Sequence, residues 1–165
     1  GAEVTLGLGG KLDMPAIGRR GEPLVVTGRV RALTDGVFPV TVAMGRGTLI
    51  DMGPTAVLEI GAGPGQPSGS GSVTVVVCSR NVEPSDPGCF RSVGIEPTAM
   101  RFLILKSRIH YRAGFAGLSS RDIACNGVGV TSSDNPLFRF EKVRRPIYPL
   151  DEHTPATPEY GPPPR

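Results

Sequence analysis

EPLVVTGRVRAL, residues Glu22 to Leu33, puts Leu24, Val26, Gly28, Val30 and Ala32 on one side of an extended chain. Val25, Thr27, Arg29 and Arg31 fall on the other side. A period of two is the mark of a half-buried β-strand. Thr34, Asp35 and Gly36 follow, and Asp-Gly between two alternating runs predicts a hairpin. The return strand is VFPVTVAM, Val37 to Met44, with Phe38, Val40, Val42 and Met44 in phase. Pro39 has no N–H to give a ladder, so this strand should begin at an edge or a bulge.

The sheet extends outward from that pair. GAEVTLGLGGK at the start reads as strand-like, and another short strand lies around Thr55 to Ile60. VTVVVCS, Val73 to Ser79, is β-branched and almost wholly apolar, which suits a central strand buried on both faces. Ala62 to Ser72 is a flexible loop by composition. Further on, Asp86 is placed to cap a short helix with Pro87 at its first position and Gly94 closing it. RFLILKS, Arg101 to Ser107, reads as a strand. YRAGFAGLSSRD reads as a short helix weakened by Gly114 and Gly117. IACNGVGV, Ile123 to Val130, is a strand or extended segment. VRRPIYPLD, Val143 to Asp151, should run extended because Pro146 and Pro149 restrict the residues before them. The expected fold class is α+β: a mostly antiparallel β-sheet with a few short helices. One domain should cover residues 1–150, with a disordered Pro-rich tail at 151–165.

Composition narrows the function. The chain has 165 residues, 39% of them hydrophobic, with no Trp, so Val, Ile and Leu must fill one domain core. Net charge is +3, the arginines are scattered, and Lys occurs only at 11, 106 and 142. That is no nucleic-acid stripe, and no apolar run is long enough to span a membrane. Cys78, Cys89 and Cys125 match no zinc spacing and no C-x-x-C pair. They read as reduced, intracellular thiols. Cys78 and Cys125 lie in apolar runs that should bury them, and Cys89 should be the more exposed. GLGGK, Gly7 to Lys11, lacks the spacing of a phosphate loop. His110 and His153 are the only histidines, too few for a self-contained catalytic zinc site. The chain opens without an initiator Met directly into strand-like sequence, which reads as a piece of something longer.

ILKSRIHYRAGF, Ile104 to Phe115, is the oddest stretch. If the strand continues through it, Lys106, Arg108, His110 and Arg112 project from one face and repel one another unless water or an anion screens them. Two readings stay open on the residues alone. One is a solvated strand face. The other is an anion receptor where the strand turns into a helix, with His110 as an acid or a donor to a developing oxyanion.

Four segments, in one order, carry a resemblance: GGKLDMPAIGRRGEPLVVTGRVRALTDGVF, MGRGTLIDMGPTAVLEIG, VTVVVCSRNVEPSDPGCFRSVGIEPTAMRFLILKSRIHYRAGF and RRPIYPLD. They resemble the C-terminal region of the microcystinase C (MlrC-like) metallopeptidase family. K-S-x-x-H-x-R-x-x-F at Lys106 to Phe115 and R-P-x-x-P-L-D at Arg145 to Asp151 are its most specific pieces. The resemblance implies soluble, cytoplasmic two-domain enzymes that hydrolyse amide bonds in small peptides, linearised microcystin being the named example. It implies that zinc is held by His and Asp side chains of a larger N-terminal domain, with no metal ligand in this region. That domain and a small peptide or amide substrate would be the partners, with a homo-oligomer as a further option and neither nucleic acid nor membrane among them. This region alone would be inactive.

Lys106, Ser107, His110 and Arg112 match the family stretch and are expected to face the interdomain cleft. We read His110 as the catalytic group and Lys106, Ser107 and Arg112 as substrate-binding. The chain departs from the family at CNGVGVTSSD, Cys125 to Asp134, where members tend to have an Asp-x-Pro-Gly-like turn. Rival readings are a structural or oligomerisation module and a free-standing anion-binding module.

Overall fold

The structure is a computed structural model that describes residues 1–61, 71–125, 127 and 129–154. Expectations for the Gly/Ser-rich loop at 62–70, for residues 126 and 128, and for the tail beyond 154 lie outside the described residues. Contacts divide the chain into two units, Gly1–Gly9 with Pro23–Ile123, and Gly10–Glu22 with Ala124–Arg165.

The first unit holds a four-stranded antiparallel sheet. Its strands are β1 (Glu3–Leu8), β2 (Leu24–Thr34), β5 (Thr55–Ile60) and β6 (Val73–Cys78), in that order across the sheet. The alternation in β2 is as expected, with Val26, Gly28, Val30 and Ala32 inward and Val25, Thr27, Arg29 and Arg31 exposed. Between β2 and β5 the register passes from Val30↔Leu58 to Ala32↔Val57, so Arg31 is an extra, bulged residue. Arg31 pairs there with Glu59, whose other oxygen accepts from Ser72 Oγ at 3.1 Å. The hydrogen bond from Arg31 keeps the buried Glu59 below the usual carboxylate range, with Ser72 adding to it.

Asp35 and Gly36 do separate the two runs, with the Val37 N–H on Asp35 Oδ1 at 3.1 Å, but the flanking strands do not pair. β3 (Val37–Pro39) leaves for a separate two-stranded ribbon with β4 (Leu49–Asp51). β5 takes one edge of β2 from Gly28 to Thr34. The expected return strand also stops at Pro39 rather than Met44, because the N–H groups of Thr41 and Val42 are spent on the carboxylate of Asp86, at 2.7 and 2.9 Å. VTVVVCS is likewise not central. β6 is an outer strand, and β5 is the one whose Thr55, Val57, Leu58 and Glu59 are buried.

Phe38, Met52, Val57, Cys89, Val93 and Phe115 form the core. Phe90 meets Phe115 edge-on, with ring centres 6.0 Å apart. Cys89 and Phe90 belong to α1 (Gly88–Arg91). Asp86 starts this helix as expected: its carboxylate accepts from Gly88 N–H at 2.7 Å and its carbonyl from Cys89 N–H. A Cβ on Gly88 would sit 2.3 Å from the Phe38 ring, so only glycine lets the helix lie this close to β3. Arg101 to Ser107 was expected to be a strand, and it joins no ladder. Its burial still alternates, with Leu103 and Leu105 packed on the core. Ile123 to Cys125 also form no strand.

In the second unit, a 3-10 turn at Pro15–Ile17 is closed by a bridge between Met14 and Arg19. Asp13 accepts from Gly21 N–H at 2.8 Å. A second 3-10 turn, Asn135–Leu137, precedes the contact of Phe138 with Phe140. Val143 to Asp151 is folded back rather than extended. Asp151 accepts from Arg145 and from the Ile147 N–H at 2.7 Å, which draws the stretch into a loop.

Asp86 is 1% exposed. Burial alone would raise its pKa, but donors from Gly88, Val42 and Thr41 outweigh burial and hold it below 3.8. Asp86→Ala leaves those amides without their acceptor and should cost about 3 kcal/mol in urea unfolding. Because the folded pKa is depressed, the carboxylate's contribution is full above its unfolded value. It should fade as pH falls below 3.8, through the folded value, so wild type and variant converge in acid.

Candidate functional site

Glu83 lies in the loop between β6 and α1, with its carbonyl held by Ser85 N–H. Its carboxylate gathers two of the residues singled out in the sequence. Ser107 Oγ donates to one oxygen, and His110 Nδ1 lies 2.8 Å from the other. Ser107 Oγ in turn accepts from Tyr111 N–H at 3.1 Å, which folds the chain over before α2 (Arg112–Phe115). Gly114 makes the approach possible. A Cβ there would stand 2.6 Å from the Ser85 carbonyl and 2.7 Å from the Pro87 ring. Thus the glycine that weakens α2 as a helix lets it dock on the loop that carries Glu83.

The hydrogen bond from Ser107, then that from His110, keeps Glu83 below the usual carboxylate range. An ionised Glu83 only accepts, so Nδ1 of His110 carries a proton and Nε2 is the ring nitrogen left free of Glu83. Side chains of Glu83 and His110 are 41% and 50% exposed, so a ligand can reach the pair.

The row of four basic side chains does not form. The chain bends at Arg108 and Ile109 and turns through His110 and Tyr111, so Lys106, Arg108, His110 and Arg112 do not share a strand face. Arg112 begins α2 and lies 5.9 Å from the Tyr111 ring centre. Its interaction with Tyr111, and then the charge of Asp122, raise its pKa. Asp122 accepts from Ser119 Oγ at 2.9 Å and from the Tyr111 hydroxyl at 3.4 Å. Lys106 and Arg108 are exposed and form no ion pair among the described residues. Sequence reasoning missed Glu83, Tyr111 and Asp122. Glu83 is 24 residues from Ser107 and 27 from His110, and no spacing rule links them.

The thiols are reversed from expectation: Cys89 is buried, Cys78 intermediate and Cys125 exposed. Burial, helped by the charge of Asp86, pushes Cys89 up to about 12. Among the described residues, no three His, Cys, Asp or Glu side chains group to hold a metal ion. The chain's described residues therefore do not fit a zinc centre, and no chemical step through a metal is assigned to them. No helix among the described residues is long and apolar enough to cross a membrane.

The fold and site define an α+β domain on a mostly antiparallel sheet, with a solvent-accessible carboxylate–imidazole pair beside a short helix. The family model described as MlrC C-terminus matches residues 1–142, and the chain belongs to that family. No curated protein matches the chain.

Alkylation of the folded chain with iodoacetamide at about pH 8 should modify Cys125 first and leave Cys89 intact, as read by peptide mass mapping. Denaturant should expose Cys89 to the same reagent.

Proposed function

We propose that this domain closes the substrate cleft of a cytoplasmic, zinc-dependent metallopeptidase or amide hydrolase of the microcystinase C type. The metal is held by a separate N-terminal domain of the same polypeptide, and the substrate is a small peptide or amide. Membership of the MlrC C-terminus family supports this reading. The observation that carries it is the Glu83–His110 pair, an exposed imidazole whose tautomer is fixed by an ionised carboxylate.

In this reading His110 offers Nε2 to the reacting amide, directly or through a water, and Glu83 orients the ring from behind. Ser107 holds Glu83 and caps the turn that delivers His110. Arg112, kept charged by Tyr111 and Asp122, meets a substrate carboxylate at the mouth of the cleft, with Lys106 as a second cation. Such groups act by positioning and by excluding water, and bond-breaking stays with the metal-holding domain.

The test uses the full-length enzyme with its metal. His110→Ala should lower kcat/KM by about 100-fold with Tm unchanged. Glu83→Gln keeps the shape but loses the anion, and should cost about tenfold. Normal kinetics in both variants would remove the site. A lowered Tm with normal kinetics in the surviving enzyme would make the domain a structural module instead.

A further inference from the structure

We propose that Arg101–Ser107 is a strand awaiting its partner, and that it completes a ladder with an extended segment of another polypeptide rich in alternating apolar and acidic side chains. This inference does not depend on the amide-hydrolase reading.

The backbone supplies the first observation. Among the described residues, no backbone–backbone hydrogen bond involves any residue from Arg101 to Ser107. Buried or paired strands do not leave a row of donors and acceptors unspent, and an exposed row is a template for strand addition. The segment is nonetheless held in place. Residues 102–107 contain no turn or bend, and their burial alternates residue by residue. Leu103 and Leu105 root it in the core. A partner would therefore meet a preformed edge rather than a loose loop, which lowers the ordering cost of binding.

Side chains supply the second observation. Phe102 is 73% exposed and Ile104 92%. Lys106 continues the same outward row and carries no ion pair among the described residues, and the chain bends after it at Arg108. The row thus reads apolar, apolar, cation at a spacing of two. It fits a strand that sets apolar groups against Phe102 and Ile104 and a carboxylate against Lys106. A second copy of this stretch is a poor occupant. RFLILKSR, Arg101 to Arg108, holds no Asp or Glu, so pairing it with itself in any register supplies no acid to its cations.

The test uses the 165-residue chain and a synthetic peptide of alternating valine and glutamate, with an alternating valine–lysine peptide as control. Backbone hydrogen exchange is followed at residues 102–106. In the free protein these amides should exchange at the rates of unpaired chain. The glutamate peptide should slow them by at least about tenfold, and the lysine peptide should not. Ile104→Pro removes an N–H at a solvent-exposed position, and Lys106→Glu reverses the charge. Each should weaken glutamate-peptide binding by at least about tenfold with Tm held. Four results would overturn the proposal: slow exchange in the dilute free protein, slowing that grows with protein concentration alone and so points to a second copy, equal slowing by both peptides, or no slowing by the glutamate peptide.

Discussion

Much of this molecule is organised around a single buried carboxylate. Asp86 is out of contact with water, and burial works against its charge more than any one neighbour favours it. The N–H groups of Thr41, Val42 and Gly88 and the Thr41 hydroxyl together reverse that balance. Those donors come from residues 41–42 and from the start of α1, which are more than forty positions apart. Their meeting point locks the β3–β4 ribbon to the helix, and Phe38 then lies against Gly88 with no room for a side chain. Cys89 and Val93 follow into the core, and Leu103, Leu105 and Phe115 pack on what results. Ser107 and His110 are set by that packing.

The site built on this frame works by orientation more than by strength. Glu83 and His110 are both substantially exposed, and an exposed ion pair adds little to stability. What the carboxylate supplies is direction: it fixes which imidazole nitrogen holds the proton and which faces outward. Arg112 is built differently. Its charge is supported by Tyr111 and Asp122, so an incoming anion meets a cation already partly answered from within the chain. Gly114 links the two arrangements, because α2 can dock on the Ser85–Pro87 loop only where no Cβ intervenes.

The sheet has an unfinished quality on the same side of the sequence. β6 ends the ladder, and the next stretch with strand character, Arg101 to Ser107, takes no place in it. Its inner leucines are satisfied by the core, whereas its backbone takes no backbone partner among the described residues and its outer side chains, Phe102 under the Arg101 guanidinium among them, stay exposed. An edge in this state is a binding surface or a hazard.

What the sequence alone determined is local. The alternation of Glu22 to Leu33, the short strand at Thr55 to Ile60 and the Asp86 cap depend on periodicity and on near neighbours, and the residues state these directly; of the helix expected over Tyr111 to Asp122, only Arg112–Phe115 forms. The three family segments within residues 1–142, too, were legible as a string. Tertiary structure decided everything that depends on which distant group claims a backbone bond. Thr41 and Val42 are lost to strand β3 because Asp86 takes their N–H groups, and the runs on either side of Asp35-Gly36 pair with β5 and β4 in place of each other. Four basic side chains at every second position suggested one face, but the bonds from Ser107 to Glu83 and from Tyr111 to Ser107 bend the chain. Burial of the three thiols likewise followed the core and not the apolar runs around them. Pattern fixes the conformation a segment prefers; the competition among distant donors and acceptors fixes whether it is allowed to keep it.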